Sequence, residues 1–357
     1  MKRATQLKLK QLKVIIVAWL IKGFLIDVYD HLVLLSNDAY GLPEQRSFTF
    51  SLVLNVGAAL TGALLGGSFL VFFVNVRYQD KPYGFTIIAV SISFILIIAL
   101  IALIIAIILA PALTPGSILD TMSGMASRTF KNIIIWSFIV AITQLFLQVN
   151  SKFGQESFWN IIRGKYNTPK EEKRIFMFLD LNSSTAIAEQ LGDETYHAFL
   201  KDFFADITNP ILENKGEIYQ YVGDEVVIAW NYEDGKKDLH CLKCFFDMKL
   251  HIQKRKEKYL RLYGVIPSFK AGIHCGKVIA GEIGIIKRDI TYSGDVLNTT
   301  SRILNKCGEF NEEIIASAEL LSEVSFIKDY ITRPLGAIKL KGKEKEVLLN
   351  ALIPAAR

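Results

Sequence analysis

The sequence predicts a two-part chain: an N-terminal α-helical membrane domain of four transmembrane helices, followed by an α+β domain. Three observations carry that prediction. Apolar residues make up 51% of the 357-residue chain, and the excess lies almost entirely before residue 150. Four apolar stretches, roughly 14–35, 48–74, 85–110 and 133–149, fill that half. From Arg174 onward, strand-like apolar runs take turns with segments whose apolar residues recur at helical spacing.

The second and third stretches hold no charge and are long enough to cross a bilayer as helices. The fourth is shorter, with Gln144 inside it and Gln148 at its end. The first is interrupted by Lys22, Asp27 and Asp30. Those charges either flank a shorter span and snorkel, or face the bundle interior in pairs. Acids follow the first stretch where a signal peptide would have a small-residue cleavage site, which argues against one. Basic residues gather at Lys2, Arg3, Lys8, Lys10 and Lys13, at Arg77 and Lys81, and at Lys152, Arg163 and Lys165. The other two loops offer only Arg46, Arg128 and Lys131. Both termini are therefore expected on the cytoplasmic side, which four spans fit and three would not, giving a multi-pass inner-membrane protein. Gly57, Gly62, Gly66 and Gly67 have small-xxx-small spacings suited to close helix packing, within or between chains.

Residues 150–173 read as a cytoplasmic linker anchored by Phe158, Trp159, Ile161 and Ile162, with any helix ended at Thr168-Pro169. It is too short for a separate sensory domain. The net charge of +6 is modest, and no aromatic-interleaved basic patch exists, so nucleic acid is not an expected partner. Cys241 and Cys244 form a CxxC without a second pair at zinc-ribbon spacing; with Cys275 and Cys307 they read as small buried thiols.

In the second part, the run RIFMFLDL ends on the carboxylate of Asp180. Tyr196, Phe199, Leu200, Phe203, Phe204 and Ile207 then recur at helical spacing. A hairpin folds about Gly223-Asp224, and a helix runs from 238 to about 259. Strands are expected at 268–274 and 278–283 around Gly276, and at 290–293. A helix at 296–304 and a closing hairpin of 338–341 with 347–352 complete an α+β sandwich of single-domain size.

Asp180 and Asp224 each leave an apolar strand beside small residues, where a carboxylate can hold a hard cation. The turn Asn182, Ser183, Ser184 follows Asp180, and its backbone N–H groups can face phosphate oxygens. Asn298 and Arg302 are four apart, so a helix projects both from one face toward a sugar oxygen and a phosphate charge. Lys277 follows Gly276 in a GIHCGKV turn, and Lys341 and Lys343 flank Gly342.

The ordered motifs FLDLNSST, YVGDEVVIAW, AGIHCGKVIAGEIG, SGDVLNTTSR and LKGK resemble the class III nucleotidyl cyclases, the adenylate and guanylate cyclase catalytic domain. The resemblance implies a ferredoxin-like βαββαβ core over 174–357, working as a head-to-tail homodimer with shared sites. It implies that Asp180 and Asp224 bind two divalent cations, Mg2+ or Mn2+, and that Asn182, Ser183 and Ser184 cradle the phosphates. Lys277 stands where the family often has an arginine on the triphosphate. From the partner subunit, Asn298 is expected to orient the ribose, Arg302 to stabilise the transition state, and Lys341 or Lys343 to hold the terminal phosphates.

The base-selecting positions depart from the family pattern. Gln220 stands where adenylate cyclases usually carry Lys and guanylate cyclases Glu; Thr291 stands where many adenylate cyclases have Asp. Gln can donate to adenine N1 and Thr can accept from the N6 amino group, which favours ATP; both side chains can also turn to serve guanine. The expectation is a membrane-bound adenylate cyclase, with a guanylate cyclase or an inactive nucleotide-binding signalling module as the alternatives.

Overall fold

The computed structural model describes residues 3–36, 48–78, 81–113, 118–153, 155–286, 288–324, 330–340 and 345–354. The chain divides into two compact units at Trp159/Asn160. Lys341 and Lys343 lie outside the described residues.

The N-terminal unit is helical: α1 (Arg3–Ser36), α2 (Phe48–Gly62), α3 (Asn75–Arg77), α4 (Tyr83–Leu113) and α5 (Ile118–Phe153), with two π-helical turns, Ala63–Gly67 and Leu70–Val74, between α2 and α3. Its core gathers Ile15, Trp19, Ala63, Leu70, Val71, Val74, Val90, Val140 and Leu147. Trp19 donates its indole N–H to Thr143 Oγ1 at 3.0 Å. Gly66 and Gly67 serve packing inside one chain: a Cβ on Gly66 would stand 2.9 Å from Phe94, and one on Gly67 3.1 Å from Ile15. Gly57 meets nothing within 4 Å.

The charges of the first stretch have partners within this unit, so it forms one unbroken helix despite them. Asn55 Nδ2 donates to Asp27 Oδ1 at 2.6 Å, Lys131 pairs with Asp30, and Lys22 Nζ lies 3.4 Å from the Trp136 ring centroid. Among the described residues, two helical segments are long and apolar enough to cross a membrane, Asn55–Arg77 and Ile133–Lys152. Tyr83–Ile97 is a shorter apolar segment. Four spans are therefore the sequence expectation, and two are what length and composition support here.

After α6 (Gln155–Ile162), the C-terminal unit begins its sheet with β1 (Lys170–Leu181), four residues earlier than the sequence pattern places it. Helices α7 (Ser184–Leu191) and α8 (Asp193–Glu213), the hairpin β2 (Glu217–Val222) and β3 (Glu225–Asn231), and α9 (Tyr232–Lys236), α10 (His240–Lys254) and α11 (Lys256–Tyr263) follow. Then come β4 (Phe269–Ile283), β5 (Asp289–Ser293), α12 (Asp295–Phe310), β6 (Ile314–Ser317), α13 (Ala318–Glu323), β7 (Tyr330–Ile338) and β8 (Val347–Pro354). The sheet order is β2-β3-β1-β4-β6-β8-β7, with β5 paired to β4. Its first four strands, antiparallel throughout, and the helices between them make the expected βαββαβ core. The parallel β4–β6 pairing makes the whole sheet mixed.

Strand β1 is apolar on both sides because both sides are covered. Ile175, Met177, Leu179 and Leu181 pack with Phe199, Phe203 and Phe245 of α8 and α10. Phe176 and Phe178 face the other way, with Val227, Val296 and Leu304. The single helix expected over 238–259 is two, broken at Arg255 (φ −105°, ψ 12°). Arg255 there reaches Asp206 at 3.1 Å, as do Lys258 at 3.3 Å and the Tyr259 hydroxyl at 2.8 Å.

The turn expected at Gly276 is absent; β4 runs through it unbroken. Glycine stands at 276 and 272 because α12 crosses the strand there. A Cβ on Gly276 would lie 2.6 Å from Val296, and one on Gly272 would lie 2.8 Å from Thr300 O and against the backbone N of Leu304. Backbone atoms cannot yield as a side-chain tip can. Gly272→Ala is therefore expected to cost about 3 kcal/mol, read as a drop of roughly 6–12 °C in melting temperature for a 160–357 fragment. An unchanged melting temperature would refute the close β4–α12 contact.

Candidate active site

Asp180 is the penultimate residue of β1. Beyond it the Asn182 backbone N–H donates to Ser268 O at 2.9 Å, and Asn182 Nδ2 donates to Ser268 Oγ at 3.3 Å. Ser183 takes a left-handed conformation (φ 57°, ψ 31°), which swings the chain directly into α7 at Ser184. The first N–H groups of that helix lack intrahelical acceptors and make the turn attractive to an anion. On the neighbouring strands, Gly223 (φ 63°) occupies the first position of the two-residue β2–β3 turn, where only glycine is unstrained, and Asp224 the second.

Cross-strand register brings charge together. Glu225 and Lys270 lie directly opposite Asp180, on its two sides, so the three side chains share one face of the sheet. Lys270 Nζ is 3.2 Å from Asp180 Oδ2. Burial raises the Asp180 carboxyl above its ordinary pKa; Lys270 opposes that rise and the neighbouring Asp224 adds to it. Burial, then the charges of Asp180 and Asp224, push Glu225 up to about 7. Tyr196 of α8 joins the group: burial raises its phenol, the charges of Asp224 and Asp180 raise it further, and its hydrogen bond with Ser184 opposes them.

Carboxylates that disfavour one another's ionisation form an environment that a hard divalent cation would relieve. Among the described residues, no three His, Cys, Asp or Glu side chains are arranged to hold a metal ion. Asp180 and Asp224 are the carboxylates that the strand end and the β2–β3 turn bring beside each other. Sequence reasoning singled out both acids and the Asn182–Ser184 turn, and the structure brings them together. It missed Lys270, Glu225 and Tyr196. Lys270 gave no signal without the β1–β4 register, and Tyr196 reads as one more apolar-face residue of its helix.

The remaining candidates stand elsewhere. Gln220 is exposed on β2 opposite Val227, which itself pairs with Phe178, placing it on the Asp180 face two positions along the sheet. Lys277 lies seven residues from Lys270 along β4, about 23 Å at strand rise, and its Nζ pairs with Glu171 at 2.8 Å. It therefore does not join the acids of its own chain. Thr291 pairs with Gly281, farther still along β4. Asn298 is exposed and Arg302 half-buried, both on the side of α12 opposite the buried Val296, Thr300, Ile303 and Leu304.

The raised Glu225 group has a consequence for stability. Its folded pKa of about 7 exceeds the ordinary 4.5, so its stabilising contribution is present below about 4.5 and lost as pH rises through about 7. In metal-free 160–357 fragment, Glu225→Gln is expected to melt above the unsubstituted fragment at pH 8, the gap closing toward pH 5. A gap independent of pH would place the effect in packing.

The family model described as the adenylate and guanylate cyclase catalytic domain matches residues 167–350. Adenylate cyclase 2 of Rhizobium meliloti (strain 1021) is 33% identical over 222 residues, covering 62% of this chain and 61% of that protein. Adenylate cyclase 1 of the same organism is 28% identical over 190 residues, covering 51% of this chain and 27% of that protein. The chain thus spans less than two thirds of the length of these curated relatives. Among solved structures, a bacterial light-regulated adenylyl cyclase superposes with a TM-score of 0.53 at 18% identity, over 61% of this chain and 63% of that one, a likeness of fold. With half of its length matched by the model, over the part that carries Asp180 and Asp224, the chain belongs to the adenylate and guanylate cyclase catalytic domain family.

Proposed function

We propose that the chain is a membrane-anchored adenylate cyclase, converting ATP to 3′,5′-cyclic AMP and pyrophosphate at a homodimer interface. One observation carries the reading: the two acids and the Asn182–Ser184 turn share one end of the sheet, while Lys277 and Thr291 lie far along β4. A head-to-tail pair of chains would join these as complementary halves. The curated relatives, all named adenylate cyclases, support ATP over GTP.

Asp180 and Asp224 would hold two divalent cations, Mg2+ or Mn2+, whose chemistry is to lower the pKa of a bound hydroxyl and neutralise phosphate charge. The α7 turn at Asn182–Ser184 would cradle the triphosphate through backbone N–H groups. From the second chain, Asn298 would fix the ribose so that its 3′-oxygen lies in line with the α-phosphorus, and Arg302 would face the charge that develops there. Lys277 joins this partner-supplied half, with Lys341 or Lys343 on the terminal phosphates. Gln220 and Thr291 would read the adenine edge. The organisation proposed is a membrane domain over 1–149, a linker over 150–173 and a catalytic domain over 174–357. The sheet nevertheless starts at Lys170, so a working fragment should begin near 160. Four spans in the inner membrane would leave both termini cytoplasmic and hold two chains together.

Mixing tests the shared site. Asp180→Ala and Asn298→Ala chains are each expected to fall about 100-fold or more in cyclic AMP production. Random mixing makes half of the dimers mixed, each with one intact site, so activity should recover to about a quarter of the unsubstituted value. No recovery from folded mixed dimers would sink the shared site. Product analysis tests the base: with ATP and GTP both offered, cyclic AMP should dominate. Dominant cyclic GMP would reassign the enzyme as a guanylate cyclase, and no cyclic product would favour a signalling module.

A further inference from the structure

We infer that Lys270 is a built-in counter-ion, occupying in the metal-free subunit the place beside Asp180 that a divalent cation takes on loading, and so setting the site's affinity for metal. The inference rests on the proposed assignment of Asp180 and Asp224 as metal ligands, and it concerns a residue that assignment leaves out. Lys270 sits directly across from Asp180 in the β1–β4 ladder, with its ammonium 3.2 Å from Oδ2. Both side chains are about a quarter exposed, so the pair is neither freely hydrated nor sealed from incoming ions.

The arrangement is directional. Glu225 flanks Asp180 on its other side and Asp224 adds a further negative charge, so the ammonium is the cation that offsets this local excess. An oxygen that accepts from an ammonium cannot give the same lone pair to a metal. A cation taking that place therefore competes with the Lys270–Asp180 contact, and the displaced ammonium remains a positive charge nearby that opposes it. A lysine suits such a role better than an arginine, because its compact charge rides on a flexible four-carbon stem and can swing aside without breaking a bidentate fork. The stem starts from a strand position anchored on both sides by Phe269 and Ala271, both buried, so the backbone stays while the head group moves.

The test uses the full chain with Mn2+ alone as the probe, its binding followed by the electron paramagnetic resonance of free Mn2+. Lys270→Met and Lys270→Gln, which keep length without charge, are expected to bind Mn2+ about five- to tenfold more tightly than the unsubstituted chain. Lys270→Arg should stay near the unsubstituted affinity. Without metal, Lys270→Met should melt lower, since the acids lose their counter-ion, and its rise in melting temperature on adding Mn2+ should be larger. Unchanged or weaker Mn2+ binding in Lys270→Met and Lys270→Gln would overturn the inference. Asp180→Asn and Asp224→Asn separate the two failures. If these lose Mn2+ while the neutral Lys270 variants bind as the unsubstituted chain does, only the role of Lys270 falls. If they keep Mn2+ binding, the metal assignment falls and takes the inference with it.

Discussion

Strand β1 must be sealed on both faces and yet deliver a charge at its end. It is paired along its length by β4 and over its second half by β3, and α8 with α10 cover one side while α12 covers part of the other. A strand held this completely cannot slip register, because a shift of one residue would turn Phe176 and Phe178 into the opposite core and Asp180 with them. The fixed register is what sets Asp180 between Glu225 and Lys270, beside the β2–β3 turn. The site's electrostatics are thus a product of packing in the strand rather than of the loop that follows it.

The same logic explains where sequence reading succeeds. An apolar run ended by Asp180, and a Gly-Asp pair between two strand-like runs, are signals carried by neighbouring residues, and both turned out where expected. Gly276 misled because a glycine inside a strand looks like a turn, whereas here it makes room for Val296. Strand β6 is only Ile314–Ser317, too short to show alternation, and β7 carries Pro334 and Gly336 at a register shift, which breaks its pattern. Lys270 and Glu225 belong to the site only through cross-strand pairing, a relation no local window contains. Arg255 divides a helix for the sake of Asp206, 49 positions earlier in the chain.

The N-terminal unit shows the limit from another side. Its long apolar stretches are legible in composition, but Asp27, Asp30 and Lys22 read more readily as a helix end than as interior groups. The partners decide: Asn55, Lys131 and the Trp136 ring come from other helices of the unit, and α1 continues past all three charges. Gly66 and Gly67 likewise look the same whether the surface they fit is Phe94 and Ile15 of their own chain or another copy.

The distance between Asp180 and Thr291 along β4 has a kinetic meaning. On the proposed reading, a chain whose complementary halves cannot meet within itself makes no product alone, so output follows encounters between chains. When chains are sparse, the rate then rises with the square of their surface density rather than in proportion to it. Doubling the amount of protein in the same membrane area would quadruple the signal until pairing saturates. Anything that crowds or disperses the helical units would act as a volume control on the chemistry, with no contact to the nucleotide.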